Sequence, residues 1–262
     1  MRSRKILIST VLWLGIMVLI NSHFLFARTI IVDDSGTGDY LTITEGMAAA
    51  NSGDTVYVMP GTYYEHGIRM KENVVLQGAG ADKCVIDGGK EHLGWPDNFV
   101  IYCDSITNGK IDGFTIKYSK GGGIGCLESL PIITNNKIID CLSRGILCLF
   151  HYPKVQHPVI NGNTITRNGT GLYYIVEGFD YSTVDTLDVS FNWWGTTVES
   201  EIQAGIRDFN PGNVRFYKVI YKPWLSTPVT SVKTPEAGIH QNNIYGNKEK
   251  NVCIAIISGP IE

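Results

Sequence analysis

The chain has 262 residues, of which 44% are hydrophobic and 18% charged, with 29 glycines and a formal net charge of −3. A weakly negative chain lacks the basic surface with which proteins bind nucleic acid or anionic lipid, so these partners are excluded. Low charge together with frequent glycine is typical of a turn-rich β protein.

The first 27 residues are predicted to be a secretory signal peptide. Basic residues precede an apolar run from Ile6 to Ile20, and Ala27 offers a small residue for cleavage. The run is also long enough for an uncleaved membrane anchor, but the patterned sequence that starts directly after it favours cleavage. Cleavage lowers the net charge from −3 to −6, because three positive charges leave with the leader. The mature protein is expected to be secreted or periplasmic, without membrane contact.

A short helix is predicted after the leader, in the stretch YLTITEGMAAA. Thr42 and Glu45 have the spacing of a capping box, and Ile43, Met47 and Ala50 form an apolar stripe at helical spacing. Such a helix would cover the open end of a solenoid, whose unpaired backbone otherwise invites aggregation.

A phrase with the core Ile-x-x-Asn-x-Ile recurs along the rest of the chain. It starts at Ile133, Ile160 and Ile239, and a variant with Phe114 in place of the asparagine starts at Ile111. The starts at Ile111, Ile133 and Ile160 are 22 and 27 residues apart, and repeats of this length are typical of a solenoid. Asparagine suits the turn because it tolerates a left-handed backbone and because its amide can bond its neighbour one coil away.

A second strand is predicted in each repeat, because apolar or aromatic residues recur at alternate positions after the phrase. The predicted inward positions are Ile124, Cys126, Ile146, Cys148, Tyr173, Ile175, Val252 and Ile254. Stacking such coils about 4.8 Å apart makes continuous parallel sheets. The predicted fold class is therefore all-β, a parallel β-helix (solenoid) with short capping helices.

Three of the six cysteines fall in one inward column of this register, namely Cys103, Cys126 and Cys148. Adjacent members would have Cα atoms about 5 Å apart, which permits a disulfide without requiring one. A ladder of buried thiols is the favoured interpretation, and one disulfide within the column is the alternative. No metal site is predicted, because no histidine shares the spacing.

A second helix is predicted near the end of the solenoid, in GTTVESEIQAGIRDF. Thr196 and Glu199 have capping-box spacing. The apolar stripe consists of Val198, Ile202, Ile206 and Phe209. This helix is expected to lie against the far end or side of the stack.

The remaining chain divides the protein into three predicted parts. The signal peptide spans residues 1–27, and the β-helix with its two helices spans 28–225. Residues 226–262 are predicted to form a linker and one resumed coil, because IHQNNIYGNKEKNVCIAI repeats the coil pattern.

Lys117, Asp140 and Arg167 are the candidate catalytic residues. Asp140 and Arg167 occupy the same position after the phrase on successive coils, and Lys117 lies just before that column. An acid and a base side by side on a parallel sheet could bind a uronate or abstract a proton. The alternative is an ion pair between coils on a solvated face, which is the favoured interpretation.

Four ring side chains are the candidate ligand-binding residues: Trp95, His151, Tyr152 and His157. Trp95 lies in EHLGWPDNF, and the other three lie in LFHYPKVQHP, an insertion that lengthens its repeat. Rings exposed beside polar groups suit stacking on sugar faces. The alternative is that these rings only close loops over the core.

The sequence resembles the pectin-lyase-like superfamily of right-handed parallel β-helices. Residues 30–80 look like the opening of pectin methylesterases, and NWWGTT followed by VIYKPWLSTP is similar to the closing segment of bacterial β-helix repeat proteins. The catalytic motifs of pectin methylesterases, polygalacturonases and calcium-dependent pectate lyases have no counterpart in this sequence. The resemblance therefore implies the fold and carries over no catalytic residue.

These observations predict a secreted protein that binds extracellular polysaccharide without catalysis and without a cofactor. The alternative is a polysaccharide lyase or glycoside hydrolase with an unrecognised site, for which calcium is the candidate cofactor. A third hypothesis is an accessory role in copper-site maturation, but the sequence contains no copper-binding motif of cysteine, histidine and methionine that would support it. Oligomeric state is not predicted.

Overall fold

The computed structural model describes residues 27–89, 94, 96–151, 156–177, 185–207 and 217–229. The signal peptide up to residue 26 and the resumed coil lie outside these ranges, and so do the predicted residues Trp95, Tyr152, Phe209, Val252 and Ile254. The helices are α1 (Ile43–Ala49) and α2 (Glu199–Ala204). The strands are β1 (Thr29–Val32), β2 (Thr55–Val58), β3 (Gly61–Tyr63), β4 (Ile68–Arg69), β5 (Val74–Gly78), β6 (Cys84–Asp87), β7 (Phe99–Asp104), β8 (Gly109–Asp112), β9 (Thr115–Lys117), β10 (Gly122–Leu127), β11 (Ile132–Thr134), β12 (Lys137–Ile139), β13 (Arg144–His151), β14 (Val159–Asn161), β15 (Thr164–Thr166), β16 (Thr170–Glu177), β17 (Asp185–Asp188), β18 (Ile206–Arg207) and β19 (Tyr217–Ile220).

The strands wind into a parallel β-helix in which three sheets enclose one core. Sheet A has the order β1-β2-β5-β8-β11-β14, sheet B β3-β6-β9-β12-β15, and sheet C β4-β7-β10-β13-β16-β18. Each coil from β2 to β16 contributes one strand to each sheet, which makes about five complete turns. Strands β17 and β19 form a separate two-stranded parallel sheet. The predicted all-β solenoid with short helices is confirmed.

Ladders of like residues fill the core, because the same position of successive coils points inward. Isoleucines lie in register on sheets A and B, and all of them are buried. The aligned residues are Ile111, Ile133 and Ile160 on sheet A, and Ile116, Ile138 and Ile165 on sheet B. This register is the one that the repeated phrase predicts, and truncating one such side chain to alanine typically costs about 2–5 kcal/mol.

The predicted asparagine ladder is present and buried. Asn136 Nδ2 donates to Asn163 Oδ1 at 3.2 Å, and Asn163 Nδ2 donates to Asn192 Oδ1 at 3.1 Å. Asn192 adds a rung that the repeated phrase did not reveal, since Val189 and Trp194 replace its isoleucines. The left-handed backbone expected at the ladder asparagines lies instead at the residue before each of them. These residues are Asn135, Gly162 and Phe191.

The predicted inward positions on sheet C are confirmed for two repeats and wrong for the third. Ile124 pairs with Ile146, and Cys126 with Cys148. In β16, however, Leu172 is in register with Ile146, where Tyr173 was expected. The turn before β16 is one residue shorter than the turn before β13, and a one-residue change shifts strand register by one position.

The cysteine column is confirmed, with Cys103, Cys126 and Cys148 in register and buried. All three are free thiols, as are Cys84 and Cys141. Hydrogen bonding to Cys126, together with burial, raises the pKa of Cys103 and Cys148 well above the ordinary thiol value. Burial raises the pKa of Cys84 to about 12 and that of Cys141 to about 11. Thiols in such surroundings pack as small hydrophobic groups.

Helix α1 covers the N-terminal end of the stack, as predicted. The Thr42 hydroxyl accepts the Glu45 N–H at 3.2 Å, which is the N-cap half of the predicted capping box. The Glu45 carboxylate in turn accepts from the Thr42 hydroxyl at 2.8 Å. Glu65, which lies between β3 and β4, accepts the Ile43 N–H at 2.7 Å. Because Ile43 and Met47 are buried against the first coils, the helix closes the apolar interior at this end.

Helix α2 is confirmed, but its predicted capping box is wrong. Of the described residues of its predicted apolar stripe, Ile202 is buried in the helix, whereas Val198 precedes the helix and is 50% exposed, and Ile206 lies in β18. The helix follows Val198, and no side chain caps its N-terminus. Thr196 instead accepts the Val198 N–H at 3.1 Å, and the Glu199 carboxylate lies 2.7 Å from Lys222 Nζ. The pairing with Lys222 draws Glu199 toward the segment after β19, away from the helix start. Among the described residues, no helix is long and apolar enough to cross a bilayer.

Candidate functional site

The structure brings two of the candidate catalytic residues together as an ion pair. Arg167 Nε and Nη2 donate to the two Asp140 carboxylate oxygens at 2.7 and 2.8 Å. These bonds raise the pKa of Arg167. Lys117 Nζ lies 3.5 Å from an Asp87 carboxylate oxygen and 4.6 Å from the centre of the Tyr118 ring. This geometry is the cross-coil pairing that the sequence favoured, and a catalytic role for the three residues stays a prediction.

Of the four candidate ligand-binding residues, His157 is the one that the structure places beside a cavity within the described part of the chain. Its ring meets Phe150 edge to face, with 5.8 Å between the ring centroids. His151 ends β13 and is in register with Glu177 of β16. Trp95 and Tyr152 lie outside the described residues, so the predicted aromatic site stays a prediction.

A groove of about 410 Å³ opens between β14 and β17. Its lining residues are His157, Pro158, Val159, Ile160, Asn161, Thr186, Asp188, Ser190 and Phe191. We call it the β14–β17 groove. It exists because sheet A ends at β14, while β17 pairs with β19 and not with β14.

The two coils that flank the β14–β17 groove stay joined at the neighbouring turn. The Gly162 N–H donates to the Phe191 carbonyl at 2.8 Å, and the Asn163 N–H donates to Asn192 Oδ1 at 2.9 Å. Asn192 Nδ2 also donates to the Ile160 carbonyl at 2.8 Å, which would otherwise face the gap. The coils therefore separate along their strands while the asparagine ladder holds them at one end.

Phe191 stands out among the residues that line the groove. The residue is 54% exposed, and its backbone is left-handed with φ 59°. The equivalent position on the preceding coils holds Gly113, Asn135 and Gly162, residue types that accept this conformation readily. The Phe191 N–H donates to the Pro223 carbonyl at 2.6 Å, which fixes the backbone from the following coil. A left-handed backbone at a bulky residue costs about 1–2 kcal/mol, and such strain concentrates at functional sites.

Polar groups stand beside this ring. Asp188 is exposed, and its Oδ1 accepts the Ser190 N–H at 2.9 Å, which orients the carboxylate at the groove. Asn161 is exposed at the end of β14, and Val159, 45% exposed, adds an apolar wall. An aromatic ring, an aliphatic wall and fixed hydrogen-bonding groups together suit a ligand that is apolar on one face and polar at its edges.

The described lining residues contain one carboxylate, that of Asp188, and neither lysine nor arginine. Glycoside hydrolysis ordinarily needs two carboxyl groups that flank the scissile bond. Across the described ranges, no group of three histidine, cysteine, aspartate or glutamate residues is placed to hold a metal ion. The described lining thus offers a ligand one carboxyl group together with neutral polar side chains.

Sequence reasoning missed Phe191, Asp188 and Asn161. A signal was available for Phe191, because aligning Val189 and Asn192 with the repeated phrase puts a phenylalanine where other coils have glycine or asparagine. No comparable local signal marked Asp188 or Asn161, because their role depends on the gap between two strands.

Comparisons with known proteins place these features in context. The family profile described as right handed beta helix region matches residues 8–187, more than half of the chain. No curated protein sequence matches significantly. A pectin methylesterase variant solved in complex with a hexasaccharide is 11% identical, with a TM-score of 0.40 over 74% of this chain and 66% of that one. The pectin methylesterase of Erwinia chrysanthemi is 10% identical, with a TM-score of 0.39 over 65% of this chain and 66% of that one. The chain thus spans 66% of the length of each of these two enzymes.

Proposed function

The chain belongs to the family of right-handed β-helix proteins, and on that premise we propose that it binds polysaccharide in the β14–β17 groove without cleaving it. The observation that carries the proposal is Phe191, an exposed ring held in a costly backbone conformation at the groove. Sugars present an apolar C–H face that stacks on aromatic rings and hydroxyl groups that bond polar side chains. Asp188 and Asn161 supply such polar groups beside the ring.

The contacts of the charged groups support the proposal of binding without cleavage. The groove has one carboxylate among its described lining residues, and the Asp140 carboxylate is engaged on both oxygens by Arg167. A general base needs a lone pair that can reach the substrate proton. The competing hypothesis is lyase or hydrolase activity, and the binding experiment tests it on the same samples.

We further propose that the protein acts outside the cytoplasm, where extracellular polysaccharide is the expected partner. The predicted signal peptide at residues 1–27 supports this location. N-terminal sequencing of the protein recovered from the periplasm or the culture medium should give Arg28 as the first residue. Recovery of the intact leader in a membrane fraction would contradict the proposal.

The first experiment measures binding and turnover on the same samples. Protein beginning at residue 28 is incubated with pectins, alginates and neutral glycans, with and without calcium. Pull-down measures binding, while absorbance of unsaturated ends and release of reducing ends measure cleavage. We expect retention by at least one glycan and no product. Product from any glycan would overturn the non-catalytic proposal and direct attention to Lys117, Asp140 and Arg167.

Phe191→Ala tests whether binding occurs in the groove. Loss of the ring is expected to weaken binding about tenfold, because burying a phenylalanine side chain contributes about 1.5–3 kcal/mol. Tyr64→Ala is the matched control, since Tyr64 is an 80% exposed aromatic residue that directly follows β3 and does not line the groove. Circular dichroism confirms that both variants fold. Equal affinities of Phe191→Ala and the unmodified protein would place the binding site elsewhere.

A further inference from the structure

We infer that the bound polysaccharide continues from the β14–β17 groove along the outer face of sheet A, parallel to the solenoid axis. The protein would then recognise an internal stretch of about five sugar units, one for each of the coils that contain β5, β8, β11, β14 and β17, and not a chain end. The inference rests on the proposed function and adds the length and the chemical class of the ligand.

Two columns of outward side chains run along this face in strict register. The first, which we call the apolar column, is mainly aliphatic and consists of Val75, Lys110, Ile132 and Val159. The second, which we call the polar column, consists of Gln77, Asp112, Thr134 and Asn161. A hydroxyl-rich chain that lies over both columns could pack its ring faces on one and bond the other.

Both columns lead into the groove. Val159 and Asn161 are the last members of their columns and also line the groove. Strands stack at about 4.8 Å, close to the length of one sugar unit in an extended chain. Successive units of the chain would therefore meet equivalent pairs of side chains.

Two exposed apolar side chains are neighbours on this face. Among the described residues, seven large hydrophobic side chains are exposed, and two of them, Ile132 and Val159, lie on successive coils of the apolar column. Phe191 belongs to the adjacent turn, at the position of Asn135 and Gly162. Ile132 is 36% exposed and directly in register with Val159. Singly scattered exposed hydrophobic residues need no explanation, whereas a contiguous strip marks an interaction surface.

The two columns offer hydrogen bonds with little net charge. Lys110 Nζ lies 3.5 Å from an Asp112 carboxylate oxygen, so these charges compensate each other. The Thr134 hydroxyl donates to the other Asp112 oxygen at 2.8 Å, which leaves the hydroxyl oxygen able to accept from a ligand. The ligand class is therefore a hydroxyl-rich chain recognised by stacking and hydrogen bonds, and its binding should depend weakly on salt.

The test is the affinity of oligosaccharides of increasing length, measured by calorimetry. The probes are neutral β-1,4-linked glucose and mannose oligosaccharides and oligogalacturonides, each from two to eight units. We expect the affinity to rise up to about five units and then to level off. Raising the salt concentration tenfold should change the best affinity less than about threefold.

Ile132→Ser separates the outer face from the groove. It should weaken binding of the hexasaccharide about fivefold and leave disaccharide binding unchanged, because only the longer chain reaches Ile132. Leu142→Ser is the matched control, since Leu142 is 56% exposed and lies between β12 and β13, outside sheet A. Phe191→Ala should weaken binding of both lengths.

The outcomes distinguish the inference from the proposed function. If Phe191→Ala weakens binding but disaccharide and octasaccharide bind equally well, the groove function stands and the extended site is overturned. If no probe binds to the unmodified protein, both are overturned. A second copy of the chain could also cover this face, and light scattering tests this. A dimer that dissociates in Ile132→Ser would make the face a surface for self-association and would overturn the inference.

Discussion

The closed stack from β8 to β14 and the open rung between β14 and β17 use forms of the same phrase with different results. In the closed stack, each strand of sheet A pairs with the next, and the turn residue is Gly113, Asn135 or Gly162. At the open rung, the ladder continues through Asn192, but strand pairing is lost and the turn residue is Phe191. The asparagine ladder and the pairing of sheet A are therefore independent of each other. The ladder holds two coils together at a point where the strands of sheet A no longer pair.

The same comparison explains why the cavity lies between β14 and β17. Within the closed stack, buried amides bond each other and surface charges pair across coils, as Asp140 and Arg167 do. At the open rung, the separation of the strands leaves a cavity lined by apolar and polar side chains, including Phe191 and Asp188. Repetition supplies the rigid scaffold, and its interruption supplies the site.

Asn163→Ala breaks the link between the two regions and should have the largest effect. Asn163 Oδ1 accepts the Asn136 N–H at 3.0 Å, and Asn163 Nδ2 donates to the Ile133 carbonyl at 2.8 Å. Each buried group left without a partner costs about 1–3 kcal/mol. We expect the free energy of unfolding, measured in urea, to fall by about 3 kcal/mol or more.

Asn135→Gly is the control for this variant, because Asn135 lies in the exposed turn with φ 57°, which glycine adopts readily. Its free energy of unfolding should change by less than about 0.5 kcal/mol. If Asn163→Ala behaved like this control, the ladder would not hold the coils together.

Gly145→Ala tests how tightly the closed stack is packed. A Cβ at Gly145 would lie 2.5 Å from the Gly171 carbonyl oxygen on the next coil, so one backbone must move. Overpacking of this kind costs about 1–3 kcal/mol, measurable by urea unfolding. Gly94→Ala is the control, because a Cβ there meets nothing within 4 Å. Equal stability of the two variants would show that adjacent coils are looser than this contact indicates.

Phe191→Asn should stabilise the fold and weaken glycan binding at once. Asparagine accepts the left-handed backbone that phenylalanine resists, so we expect a gain of about 1 kcal/mol and a rise in Tm of about 2–4 °C. Scanning calorimetry measures the stability. Phe191→Ala serves as the comparison, since it removes the ring but keeps a Cβ in the same conformation. A lower Tm for Phe191→Asn would mean that the ring contributes more to packing than its exposure indicates.

Asp140→Asn and Arg167→Ala should have the smallest effect. Exposed ion pairs typically contribute 0 to about 1 kcal/mol, and asparagine tolerates the left-handed backbone found at Asp140. We expect unfolding free energies within about 1 kcal/mol of the unmodified protein and unchanged glycan binding. Loss of binding or of any detected turnover in these variants would revive the candidate catalytic site.

The reliability of the sequence predictions followed how local their causes are. The N-cap Thr42 and its partner Glu45 lie within four residues, and their pairing was predicted correctly. The second capping box failed because Glu199 pairs with Lys222, which lies 23 residues further along the chain. His157 was selected for its ring, and the structure places it in the lining of the same groove as Phe191. The signal for Phe191 required aligning Val189 and Asn192 with the repeated phrase.

The sequence by itself determined the parallel β-helix, the isoleucine and asparagine ladders, the thiol column and the N-terminal cap. Each follows from residue types that recur at the coil spacing, because stacking equivalent positions is enough to satisfy them. Only the tertiary structure decided where sheet A opens and what lines the opening. That outcome depends on β17 pairing with β19 and on Pro223 holding Phe191, contacts between segments far apart in the chain that no local pattern encodes.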